Sequence, residues 1–298
     1  MLDLPKDVLG HGARVVPLPA PPRLERARGA AQIGFARRGA ETMVCDLFQS
    51  GCARVRLPWR EPGRLREAVL INTAGGLTDG DRLRNTATWR QGARAVVTSQ
   101  AAERIYRSRQ APARIESDLT VGPMAMALWL PQETILFDGA SLARKTEVEI
   151  DPSSRLIACE SVIFGRTAMG ETVRAGAIVE SWRLRVGGRL VFADSFRLSG
   201  DIAAMLDRPA VGGGARALAT VIYAGPDASE RIGLLRAVVI DPGCVRVASS
   251  CLGPVVVTRV LADTGQAARR AVSAVLVALI GSVAAETGAT GLPRAWSC

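Results

Sequence analysis

Histidine is almost missing from this chain: its one copy in 298 residues is His11. That residue sits in a leader, residues 1–22, punctuated by Pro17, Pro19, Pro21 and Pro22, the composition of a disordered segment. The expected folded body, a single domain over 23–298, therefore has no imidazole. This excludes Ser-His-Asp and Cys-His catalysis there, and any histidine-ligated zinc or nickel centre. A metal in the body would have to use carboxylates, backbone carbonyls or thiolates, which argues against an enzyme. Lysine is scarce too. Only Lys6 and Lys145 occur, so arginine makes up nearly all of the 38 basic residues behind a net charge of +10. The arginines are scattered singly or at most in pairs, and aromatics are 4% of the chain. Without a basic run or aromatic interleaving, a nucleic-acid partner is not expected; an acidic protein partner stays open. The six cysteines form no Cys-x-x-Cys pair, and no secretory signal is legible, so the expectation is reduced thiols in the cytoplasm. The longest apolar stretch, Ala271–Ile280, is too short to span a bilayer, and no membrane association is expected.

What is present reads mainly as β structure. Trp182, Leu184 and Val186 alternate with polar residues, then Gly187-Gly188 intervenes, then Leu190, Phe192, Phe196 and Leu198 resume the alternation. That is a hairpin with a two-glycine turn. Three turn-plus-apolar-strand segments, starting at Gln91, Gly122 and Pro152, resemble one another at a spacing of 30–31 residues. Such a period fits stacked rungs of a β-solenoid, and equally a β-sandwich with regular strands. Helices come late. Asp227-x-x-Glu230 resembles a capping box leading into Ile232, Leu235 and Val239. Thr264 is placed to cap a helix over 265–281 with Ala268, Ala271, Val272, Val275, Leu276, Leu279 and Ile280 on one face. Its far face carries Arg269, Arg270 and Ser273, and its apolar face should dock on the protein's own sheet.

The candidate chemistry is carboxylate chemistry. Residues 69–81 run from an apolar strand into a turn with three glycines, which sets Asp79 and Asp81 on what reads as a tight, exposed bend. A phosphate loop, an oxyanion hole, a carboxylate station for a cation and a plain acidic turn all compete there. The phosphate reading is weakest, because no Gly-Lys-Ser/Thr follows and the aspartates would repel phosphate. Asp194 shares the parity of Phe192 and Phe196. Glu160 shares that of Leu156, Ala158, Val162 and Phe164. A lone buried carboxylate is costly, so each should pair with an arginine or line a water-filled path for a cation. Glu103 and Glu133 each end a strand and could simply face solvent.

Several motifs then align in one order: Leu70-Ile-Asn-Thr-Ala-Gly-Gly-Leu-Thr-Asp-Gly-Asp81, Thr98-Ser-Gln-Ala-Ala-Glu-Arg-Ile-Tyr-Arg-Ser108, Trp129-Leu-Pro-Gln-Glu-Thr-Ile-Leu-Phe-Asp-Gly-Ala140, Phe164-Gly-Arg-Thr-Ala-Met-Gly-Glu171 and Leu292-Pro-Arg-Ala-Trp296. In these the chain resembles the urease accessory protein family UreD, also called UreH, over roughly 23–297. Asp79 departs from it, standing where the family usually has Gly. The resemblance implies a largely β-helical fold with a few helices and no enzymatic activity. It also implies a role in building the nickel centre of urease, through docking on apo-urease and on the helical accessory protein UreF, which holds the GTPase UreG. Nickel would be bound only in passing, in an internal tunnel. Mapped here, the implied transient Ni²⁺ path comprises Asp81, Glu160 and Asp194, with Glu103 and Glu171 as second choices. A carboxylate-lined, histidine-free interior suits a conduit that must release its cargo. The rival reading is a small-molecule enzyme using Asp79 and Asp81 as an acid–base or Mg²⁺ site.

Overall fold

Mostly apolar segments separated by turns recur along the chain, and each such segment becomes one strand of a stack. A computed structural model describes residues 25–59, 64–166, 169–240, 242–284 and 291–296. His11 and the leader fall outside these residues.

The chain opens with a hairpin of β1 (Arg28–Arg38) and β2 (Glu41–Gly51), followed by β3 (Ala53–Arg56). Then β4 (Arg66–Asn72), β5 (Arg82–Trp89), β6 (Arg94–Ser99), β7 (Glu103–Ile105), β8 (Ala113–Val121), β9 (Met126–Leu130), β10 (Thr134–Leu136), β11 (Ser141–Ile150), β12 (Arg155–Phe164) and β13 (Gly176–Val186) coil as a β-solenoid of about four turns. Strands β5, β8, β11 and β13 stack in parallel in one sheet, and β4, β6, β9 and β12 in the other. Arg94, Met126 and Arg155 stand opposite one another in three successive rungs, 32 and 29 residues apart, so the spacing of about 30 residues is the length of a coil. Of the two architectures that spacing allowed, this is the solenoid.

The second half closes the stack with antiparallel strands: β14 (Arg189–Gly200) on β13, then β15 (Ala217–Ala224), β16 (Val245–Leu252) and β17 (Val255–Ala262) on β12. Gly187 and Gly188 join β13 to β14 at φ of 55° and 80°, the left-handed pair that a two-residue hairpin turn of this twist requires. Two cores result. One fills the space between the sheets, around Phe35, Trp89, Leu142 and Phe164; the other lies between the second sheet and the helices.

Helix α1 (Ile202–Asp207) is short, and α2 (Ala228–Arg236) ends before Val239, which is 93% exposed. The expected capping box does not form. The Asp227 side chain makes no cap bond and instead accepts from Tyr223 Oη and from Arg231. Two nearby donors, one of them charged, outcompete a backbone amide for the same carboxylate. Helix α3 (Gly265–Ser282) forms as its periodicity predicts, with Thr264 Oγ1 accepting from Ala267 N at 3.1 Å. Its whole apolar face is buried on the second sheet.

Arg269, on the face expected to meet solvent, is instead a clamp. Its Nη1 donates to Gln132 Oε1 at 2.6 Å and to both oxygens of Glu133, and its Nη2 to Trp296 O at 3.0 Å. Glu133 therefore does not face solvent; it is a buried counter-ion. Trp296 closes the lock by donating Nε1 to Leu130 O at 3.0 Å. Arg269→Met should destabilise the fold by about 2–4 kcal/mol, because it strands the buried Glu133 carboxylate. Urea unfolding of the two proteins measures this, and a change below about 1 kcal/mol would show the clamp to be decorative.

Candidate functional site

Between the two sheets lies a cavity of about 250 Å³. Its mouth is formed by the exposed Gly75, Gln100, Ala101 and Arg104, and its inner wall by Leu83, Asn85, Ile115, Ser117, Trp129, Thr134, Arg144 and Glu160. The glycine-rich turn contributes the rim. Gly76 adopts φ of 147°, and a Cβ there would meet the Tyr106 ring at 2.4 Å, so only glycine lets this turn pack against the motif at 98–108.

Strand register carries a polar layer through the interior. In the first sheet Asn85, Ser117, Thr146, Trp182 and Asp194 stand side by side across β5, β8, β11, β13 and β14. In the facing sheet Glu160, Thr220 and Arg259 do so across β12, β15 and β17. Glu160 and Asp194 thus both lie on the inward side as their parity predicts, and both carboxylates also have arginine partners. Arg259 bridges Asp194 (Nη2 to Oδ2, 2.5 Å) and Thr220 (Nη1 to Oγ1, 2.6 Å) at the partly exposed end of the layer. Glu160 is deep, 5% exposed; its Oε1 accepts from Thr146 Oγ1 at 2.6 Å, and its Oε2 lies 3.3 Å from Arg144 Nε. Burial pushes the Glu160 carboxyl up, against the pull of Arg144. Arg144 also binds Glu180 and donates Nη1 to Thr134 Oγ1 at 2.8 Å.

Arg144 and Glu180 were missing from the sequence-derived set, yet the same parity reveals both. Arg144 falls between Leu142 and Thr146 on the inward side of β11, and Glu180 between Ile178 and Trp182 on that of β13. Among the described residues five buried side-chain polar atoms lack a hydrogen-bond partner. Three of them, Trp129 Nε1, Arg144 Nε and Glu160 Oε2, belong to residues lining this cavity.

Glu103 reaches the same cavity from the mouth and is only half-buried by its surroundings, with Asn72 Nδ2 donating to it at 3.0 Å. Desolvation raises its pKa to about 7. The folded state then keeps a proton that the unfolded chain releases near pH 4.5, so stability should fall as pH rises from about 4.5 to 7 and level off above. Glu103→Gln should flatten that part of a Tm-against-pH curve and raise Tm at pH 8. An unchanged curve would show that Glu103 is ordinarily hydrated.

The remaining candidates lie elsewhere. Asp79 and Asp81 are 5% and 4% exposed, so the expected exposed bend is a correction: the turn is folded under the start of β1. Asp81 accepts from Ala27 N and Thr78 N, both at 2.8 Å, one on each oxygen. Asp79 accepts from Gln110 N and Ala111 N and pairs with Arg26 at 3.3 Å. The amides of Ala111 and Gln110 hold its carboxyl below the usual range. Glu171 sits in a separate surface hollow, locked to Arg166 (2.9 Å from Nε) and held low by it. Among the described residues no three His, Cys, Asp or Glu side chains converge closely enough to hold a metal ion. The five described cysteines are free thiols.

A family profile described as UreD urease accessory protein matches residues 27–297. The chain belongs to the UreD family. Among its relatives, a urease accessory protein UreD of Methylobacterium sp. (strain 4-46) is 44% identical over 285 residues, covering 94% of this chain and 98% of the relative. One from Chelativorans sp. (strain BNC1) is 42% identical, with 94% and 96% covered, and one from Brucella suis is 39% identical, with 92% and 95% covered. With the family in hand, the terminal motif has a structural meaning: it supplies Trp296, whose carbonyl accepts from Arg269 and whose ring nitrogen donates to Leu130 O.

Proposed function

We propose that this protein serves urease maturation as a non-enzymatic scaffold, passing Ni²⁺ as cargo through its interior toward apo-urease. The observation that carries this is that Glu103 and Glu160 line one internal cavity together with Trp129 and Arg144, and that three buried polar atoms of Glu160, Trp129 and Arg144 make no hydrogen bond. A polar-lined space of this size suits several waters or a partly hydrated cation. Glu103 receives the cation at the mouth, Glu160 relays it, and Asp194 with Thr220 stands at the far end of the layer. Oxygen donors without imidazole or thiolate hold Ni²⁺ weakly, which a path needs for release. Asp81 and Glu171 are assigned to holding loops, since their oxygens are engaged by backbone amides or arginine.

Apo-urease and the helical accessory protein UreF are the partners, with UreG reached through UreF, and the work is done in the cytoplasm. No helix among the described residues is long and apolar enough to cross a membrane. The rival acid–base or Mg²⁺ site at Asp79 and Asp81 has no observation in its favour, because the oxygens of both are already taken. Apo-urease with its accessory proteins, supplied with Ni²⁺ with and without this protein, tests the reading. Nickel bound per urease active site should depend on its presence, and equal loading without it would refute the assignment.

A further inference from the structure

Arg144 is a cation placed where a cation path should be most hostile to one. It is buried, 6% exposed, and two of its nitrogens are anchored, Nη1 on Thr134 and Nη2 on Glu180. Its third, Nε, lies 3.3 Å from Glu160 Oε2, and neither atom makes a hydrogen bond. Glu160 is itself held by its other oxygen, through Thr146. The guanidinium is therefore firmly tethered on one side and loosely opposed to Glu160 on the other. Stability does not account for such a group, since a buried ion triad is often no better than apolar residues of equal volume. A tethered charge beside a carboxylate oxygen that makes no hydrogen bond, both on residues lining the cavity, does have a use.

We propose that Arg144 is a resident counter-cation of the internal path, balancing Glu160 when no cargo is present and yielding Oε2 to a divalent cation by turning about its bonds to Thr134 and Glu180. This rests on the conduit reading and adds to it what sets the dwell time. With cargo at Glu160, the guanidinium remains within a few ångströms and repels it, so the bound state is kept shallow. Glu180 decides the balance, because its carboxylate draws Arg144 away from Glu160.

The test measures Ni²⁺ binding and chelator-triggered Ni²⁺ release on the full-length protein in its accessory complex. Arg144→Met removes the repulsion and should tighten Ni²⁺ binding by at least about tenfold and slow release in proportion. Arg144→Lys keeps the charge and should stay near the wild type. Glu180→Gln frees Arg144 to pair fully with Glu160 and should weaken Ni²⁺ binding. These opposite shifts are not expected of a merely structural arginine, and Glu180→Gln with Arg144→Lys decides the matter even if Arg144→Met fails to fold. Equal binding in the wild type and the folded variants, shifts of the same sign, or no binding in any of them overturns the proposal. The conduit reading is judged separately, by whether Glu160→Gln blocks urease activation.

Discussion

Glu160→Gln should reduce nickel incorporation into urease at least about tenfold while the protein still folds and assembles with its partners. The substitution keeps the size of the side chain and an oxygen for the Thr146 hydroxyl, and removes only the charge that would attract Ni²⁺. Arg144 is not orphaned by it, because Glu180 and Thr134 still hold the guanidinium. Burial already favours the neutral carboxyl at this position, so a neutral amide is tolerated. Asp194→Ala should act in the same direction with little effect on folding, since its partner Arg259 is about a third exposed and water replaces the lost contact. The readouts are nickel per urease active site, the melting temperature, and co-purification of the complex. Full activation by Glu160→Gln would end the conduit assignment. Assembly lost together with activation would instead make the pair with Arg144 structural.

Asp81→Ala should behave quite differently and cost the fold about 2–5 kcal/mol. Its two oxygens each satisfy a backbone amide in a part-buried turn, with the carboxylate itself buried, and an orphaned buried N–H costs about 1–3 kcal/mol. Against a total stability of about 5–15 kcal/mol, that loss is enough to deplete soluble protein. Asp79→Gly, which restores the residue usual in the family, should also destabilise. It removes the acceptor for Gln110 N and Ala111 N and the partner of Arg26. A glycine being usual at this position would by itself suggest a neutral change; the bonds made by the Asp79 side chain point the other way. Thermal unfolding of both variants measures the effect, and melting temperatures within a degree or two of the wild type would refute the role given to this turn.

The readings that held were those with a local physical cause. Side-chain parity put Glu160 and Asp194 inside, because a strand alternates faces whatever surrounds it. The spacing of turns anticipated the rungs, and the apolar stripe with Thr264 at its head anticipated α3. The sequence also determined, by omission, that no imidazole takes part in the described residues' chemistry. Partner choice was the tertiary structure's decision. Whether Asp227 caps a helix or binds Tyr223 and Arg231, whether Glu133 meets water or Arg269, and whether Asp81 points to a cavity or to the amides of Ala27 and Thr78 depend on segments far apart in the chain. A carboxylate takes the strongest donors that packing brings within reach, and only the closed coil of the solenoid determines which donors those are.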